Sequence, residues 1–234
     1  ANAHGVAKVQ GADLGDVLCF GVDAHDVRFK PIKAVIRHPL FWCMMPALLG
    51  PSAFNTAFFF QQVHFAAVKG WDHLSLVSFF PLYTGAAVLA MLASGWALDR
   101  FGTPRLIWFY QLPMSFAFLC FAFGQSQMMF VTGLLFLAIT AGANTTLPNA
   151  FWAEFYGTRY LGAIKSLAAA IMVLGSALGP GITGVMIDWD IGLETQYIAV
   201  AIFFVLSTVV MSFGVWRAAP HLPKSIVVNS PSSL

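Results

Sequence analysis

The sequence has very little charge. Asp, Glu, Lys and Arg make up 9% of its 234 residues, against about a quarter of a soluble domain. A soluble fold of this size could not cover its surface with so few charges, and a disordered chain needs low hydrophobicity instead. The net charge of +2 provides no basic stripe for nucleic acid. Because 59% of the residues are hydrophobic, we expect a chain solvated by lipid.

Cysteine is scarce as well, and motifs of membrane enzymes are missing. The chain has three cysteines, of which Cys43 and Cys120 lie in apolar runs and Cys19 lies in a polar segment. An odd number without a cluster argues against a disulfide scaffold or a metal site. The chain has no His-Glu-x-x-His, no Gly-x-Ser-x-Gly and no paired membrane aspartates. We therefore expect no metal, no cofactor and no enzymatic activity.

The gaps between charges predict the organisation. A helix needs about 20 mostly apolar residues to cross the hydrocarbon core, whereas membrane β-strands are alternating segments of about 10 residues. The longest gap, from Arg105 to Glu154, is twice the length of one span and breaks at a polar hairpin, 124–127. The fold class is therefore all-α: a polytopic membrane protein with six spans, at about 40–67, 74–98, 106–123, 128–152, 162–187 and 196–216.

The basic residues predict the orientation. With six spans, both termini lie on one side, and that side holds every Lys and Arg except Lys69. Positive residues favour the cytoplasm, so we expect a cytoplasmic polar segment at 1–37, a bundle at 38–218 and a cytoplasmic tail at 219–234. The short outer loops fit a bacterial inner membrane.

One cytoplasmic hairpin carries a specific spacing, Gly95-x-x-x-Asp99-Arg100-x-Gly102-x-x-Arg105. Gly95 would allow close approach of helices, and Gly102 suits a turn that needs positive φ. A generic positive hairpin would not need this spacing. It resembles the signature of the major facilitator superfamily, which lies between the second and third spans of each six-helix half, as it does here. Pro104 stands where the family often has a basic residue.

Two further stretches are similar to motifs of that family. Glu154 and Arg159, between spans four and five, match its acid-then-Thr-Arg-then-Gly loop. The resemblance implies that Asp99, Arg100 and Arg105 join them in a cytoplasmic gating cluster, although taken alone the loop reads as a helix-ending acid and a positive turn. The fifth span carries a glycine-proline packing motif, in which Pro180 bends the helix and small residues form a groove: Gly175, Gly179, Pro180 and Gly184.

The resemblance covers about residues 38–218 and implies the C-terminal half of a twelve-span transporter. Residues 1–37 are similar to the central loop of the family. The implied activity is transport of a small-molecule substrate by alternating access. The implied partners are membrane lipid and either the missing N-terminal half or a second copy, with no nucleic acid. The alternative is a non-transporting scaffold or sensor derived from a transporter half.

Amides in the membrane are the candidates for substrate contact, since polar groups there are expensive and often functional. In the family, spans one, two, four and five of each half line the cavity. The candidates on those spans are Asn55, Phe59, Gln62, Tyr83, Asn144 and Asn149. The competing interpretation is that these amides only hold helices together. No charged residue is expected at mid-bilayer, so the substrate and any coupling ion stay open.

Overall fold

The computed structural model describes residues 32–157 and 160–218, which are helical apart from short connections. In chain order the helices are α1 (Ile32–Arg37), α2 (Pro39–Phe60), α3 (Gln62–Lys69), α4 (His73–Val77), α5 (Phe80–Phe101), α6 (Thr103–Leu106), α7 (Leu112–Phe123), α8 (Gln127–Tyr156), α9 (Leu161–Asp188) and α10 (Leu193–Ala218). The part of the chain that the structure describes contains no strand. The predictions for residues 1–31 and 219–234 lie outside it.

The predicted helical membrane bundle is confirmed. Five segments are long and apolar enough to cross a membrane: α2, α4 with α5, α8, α9 and α10. The sixth, α7, is an apolar helix of 12 residues. The polar turn expected before α8 is present between Phe123, where α7 ends, and Gln127, where α8 begins. The Ser126 side chain caps α8 by accepting a hydrogen bond from the Met129 amide.

Three spans are interrupted where a continuous helix was expected. The first span breaks at Gln61, between α2 and α3. The second breaks at 78–79, between α4 and α5.

The third span turns at 107–111 before α7 begins. Pro113 lies in the first turn of α7 and has no N–H to bond the Phe109 carbonyl four residues earlier. That carbonyl instead accepts from the Leu112 amide at 3.3 Å, which tightens the chain into a turn.

The spans pack as two pairs that are joined by α7 and α10. Helix α2 lies against α9, and α5 lies against α8. Helices α7 and α10 pack on each other, while α7 also contacts α8 and α10 contacts α2. The α5–α8 pair is close because Gly142 meets the α5 backbone at Ala87. A hydroxyl pair, Ser94 and Thr146, joins the same two helices at 2.8 Å.

Glycines also set the α2–α9 pair. Gly175 lies against Leu49, and Gly179 lies against the backbone of Ala53 so closely that a methyl group there would overlap it. Nothing lies within 4 Å of the corresponding position at Gly184. Pro180 stands inside α9. The packing therefore uses the first part of the glycine motif and leaves Gly184 open.

Aromatic side chains fill the end of the bundle opposite the 102–103 turn. Phe58 stacks on Phe121 with ring centroids 4.3 Å apart, and Phe65 stacks on Phe130 at 5.7 Å. The other end buries Trp152, with 1% of its surface exposed, against Phe41. Trp152 is therefore a core residue, although it lies near the end of its span.

Candidate functional site: a cavity and a charged hairpin

A cavity of about 390 Å³ lies where α2, α7, α8 and α9 meet. It separates the α2–α9 pair from α8. Its lining is uncharged and combines amides, hydroxyls and apolar side chains: Pro51, Ser52, Asn55, Thr56, Met114, Leu137, Ala141, Asn144, Met172, Val173 and Ser176. Such a surface can bind a small solute by hydrogen bonds and apolar contact.

Asn144, on α8, is held at the cavity wall by a tyrosine from the turn before α7. The Tyr110 hydroxyl donates to Asn144 Oδ1 at 2.6 Å and lies 3.2 Å from the Ala47 carbonyl. Gln111 Nε2 donates to the same carbonyl. Pro51 has no N–H, so it leaves the Ala47 carbonyl, four residues earlier, without its helical donor. The proline in α2 thus frees the Ala47 carbonyl to accept the hydrogen bond from Gln111.

Asn55, on α2, lies one helical turn before Phe59, whose ring contacts α5. Asn55 lines the cavity. Its Oδ1 is buried and has no partner among the described residues. Phe59 contacts both Phe80 and Tyr83, with centroids 5.2 and 5.3 Å away. These side chains bridge α2 and α5 beside the cavity.

The remaining amides take other positions. Gln62, at the start of α3, has a buried Oε1 without a partner in the described part of the chain. Asn149 is exposed, and its Nδ2 donates to the Thr145 carbonyl on its own helix at 2.6 Å. Of the six candidates, Asn55 and Asn144 line the cavity, while the other four do not belong to its lining.

Sequence reasoning missed several lining residues and the support behind them. Ala141 and Met172 carry no polar group, so only helical spacing from known lining residues could have found them. Tyr110 and Gln111 lie in the third predicted span, which is not among the spans that line the cavity in the family. The available signal was Pro51, because a proline inside a helix leaves a carbonyl that needs a donor from elsewhere.

The charged hairpin lies at the end of α5. Gly102 has φ 75° and ψ 161°, a conformation that is essentially restricted to glycine. Pro104 follows in the first turn of α6. Asp99 and Arg105 are exposed, as is Arg100, whose guanidinium lies 5.7 Å from the Trp96 ring centroid.

The expected charge cluster is only partly visible. Glu154 is half-buried near the end of α8, and Arg159 lies outside the described residues. Within residues 32–157 and 160–218, no ion pair joins Asp99, Arg100, Arg105 or Glu154. Among the described residues, apart from the adjoining backbone of α5, no atom lies within 4 Å of the position that a methyl group on Gly95 would take. The hairpin side of α5 is therefore open in this chain.

Apolar helices of span length that pack around a cavity define a polytopic membrane protein. The family model of the Major Facilitator Superfamily matches residues 80–231. The chain belongs to this superfamily, whose members are transporters and not enzymes. No curated protein and no solved structure matches the chain.

Proposed function

We propose that this chain is the C-terminal half of a twelve-span secondary transporter that carries a small solute by alternating access. The observation that supports the proposal best is the cavity between the α2–α9 pair and α8. Two carboxamides, Asn55 and Asn144, line this uncharged cavity inside the helical bundle. Polar groups at this depth are costly and often functional.

The open faces of α5 and α9 support a missing partner. In the apolar windows of the α4–α5 and α9 segments, 6% and 17% of residues are buried, against 44–50% in α2, α8 and α10. On five glycines of these two helices, the position that a methyl group would take has no neighbour within 4 Å in the described part of the chain: Gly85, Gly95, Gly162, Gly181 and Gly184. Small residues let helix backbones approach closely, so these faces suit another helical bundle. The N-terminal half is the proposed occupant, and a second copy is the alternative.

The hairpin charges supply the proposed gate. In the proposed orientation the termini and the hairpin face the cytoplasm of a bacterial cell. Asp99, Arg100 and Arg105, together with Glu154 and Arg159, would pair when the cytoplasmic ends close and separate when they open. Bonds made in one state only bias the equilibrium between the two states.

The half-transporter proposal is tested by the intact mass of the native protein in its own membranes. An antibody against residues 1–37 would detect it. We expect a mass near twice 25.4 kDa. A mass of 25.4 kDa, without a second copy or a partner chain in the native complex, would contradict the proposal and favour a scaffold or sensor.

A further inference from the structure

Tyr110 and Gln111 form a buried polar strap behind the cavity. They lie in the turn between α6 and α7, with 4% and 0% of their surfaces exposed. Their donors serve the Ala47 carbonyl and Asn144. Because Asn144 also lines the cavity, this strap connects the α2 carbonyl that Pro51 leaves free to the side of α8 that lines the cavity.

The hydrogen bonds have a defined direction. Gln111 Nε2 donates to the Ala47 carbonyl, so that acceptor already has a donor. The Tyr110 hydroxyl lies within reach of the same carbonyl, at 3.2 Å, and of Asn144 Oδ1. Its single proton then goes to the near neighbour, Asn144 Oδ1, at 2.6 Å. That length is typical of O–H···O bonds and short for N–H···O bonds, which places the oxygen of Asn144 toward Tyr110.

A carboxamide carries its oxygen and its nitrogen on opposite sides. With Oδ1 fixed on Tyr110, Nδ2 turns away from the strap. Asn144 is half-buried, and its Nδ2 has no partner among the described residues. The group that α8 offers to the cavity is therefore a hydrogen-bond donor.

We propose that Tyr110 is a positioning residue that fixes Asn144 as a donor, so that the cavity takes a solute presenting an oxygen acceptor to α8. Carbonyl, carboxylate, ether and hydroxyl oxygens belong to this class. The proposal rests on the transport function proposed above and adds the chemistry of the substrate. A solute that offers only N–H donors on that side would leave Asn144 unpaired and bind more weakly.

The orientation of Asn144 can be measured without a known substrate. Ala141 also lines the cavity, three residues before Asn144 on α8, so the two side chains are neighbours. In the full-length gene product carrying Ala141→Cys, the probes are 2-sulfonatoethyl and 2-aminoethyl methanethiosulfonate. The first presents oxygen acceptors and the second presents N–H donors. Peptide mass spectrometry gives the rate of each reaction at position 141, and the ratio of rates is the readout.

Tyr110→Phe should lower the sulfonate-to-amine ratio by about threefold to tenfold, the effect of one neutral hydrogen bond. Asn144→Leu should lower it equally, and Tyr110→Phe should add nothing in that background, because Tyr110 acts through Asn144. Ser115→Ala is the matched control. It removes a buried hydrogen bond from α7 to the Ala201 carbonyl without touching Asn144, so it should leave the ratio unchanged.

Three results would overturn the proposal. They are an unchanged ratio in Tyr110→Phe, an equal change in Ser115→Ala, and no reaction of the introduced thiol at position 141 with either reagent. Labelling does not require transport. A failure of this proposal is therefore distinguishable from a failure of the transport function.

Discussion

The two faces of α9 carry the same residue type in opposite surroundings. Toward α2, Gly175 and Gly179 lie against the backbone and side chain of the neighbouring helix. On the rest of α9, a methyl group on Gly162, Gly181 or Gly184 would meet no other described residue within 4 Å. A glycine pattern thus marks contacts made within this chain and, in our account, contacts reserved for another bundle. Substituting one glycine of each kind can distinguish the two roles.

The largest effect is expected for Gly179→Leu. The new side chain would overlap the backbone of Ala53, which cannot rotate away. We expect the free energy of unfolding of the purified protein to fall by about 3 kcal/mol, the upper range of overpacking. Thermal unfolding in detergent measures it. A melting temperature equal to that of the wild type would contradict the close α2–α9 contact.

Gly184→Leu is the matched control on the open part of the same helix. Because a side chain at Gly184 would begin with no neighbour within 4 Å among residues 32–157 and 160–218, the C-terminal bundle should unfold as in the wild type. If this face receives the other half, the same variant should weaken the association of the two halves when they are expressed as separate chains. Normal co-purification of the halves would contradict docking at this face.

The next effect concerns the open end of α5. Asp99→Asn removes the acid of the hairpin, which has no ion pair among the described residues here. If that acid pairs only in the closed cytoplasmic state, its loss should reduce the transport rate about tenfold. A change of that size corresponds to a typical coupling free energy between two sites. Membrane insertion should be intact. Transport at the wild-type rate, at equal expression, would remove the gating role.

A smaller effect is expected inside the packed region. Gln111→Leu removes one donor to the carbonyl that Pro51 leaves free. The expected loss is about 1 kcal/mol of unfolding free energy, since Tyr110 remains near the same carbonyl. Chemical denaturation of the two proteins side by side measures it. A loss as large as that of Gly179→Leu would mean that the strap, and not the glycine contact, dominates stability.

The smallest effect is expected at the exposed hairpin. Trp96→Leu removes the ring beside the Arg100 guanidinium. An exposed cation–π contact contributes about 0.5–1 kcal/mol, so thermal unfolding should change by a few degrees at most. A larger loss would show that Trp96 packs against something on the side of α5 that is open here.

The sequence predicted the helical bundle because charge-free runs of span length have few other solutions in lipid. Local pattern also predicted the turn at Gly102, and it selected Asn55 and Asn144, which both line the cavity. It did not predict the turn at 107–111 or the role of Tyr110. Both features depend on which part of the chain packs beside the Ala47 carbonyl that Pro51 leaves free. That choice is made by packing across the bundle and not by local sequence pattern.

Transport by alternating access requires that the cavity opens to each side of the membrane in turn. The most direct test labels Ala141→Cys in the full-length protein with the membrane-impermeant sulfonate reagent, applied to right-side-out and to inside-out vesicles. The account predicts labelling from both sides, with Asp99→Asn raising the cytoplasmic rate and lowering the outer rate. Labelling from one side only, with no change in Asp99→Asn, would contradict it.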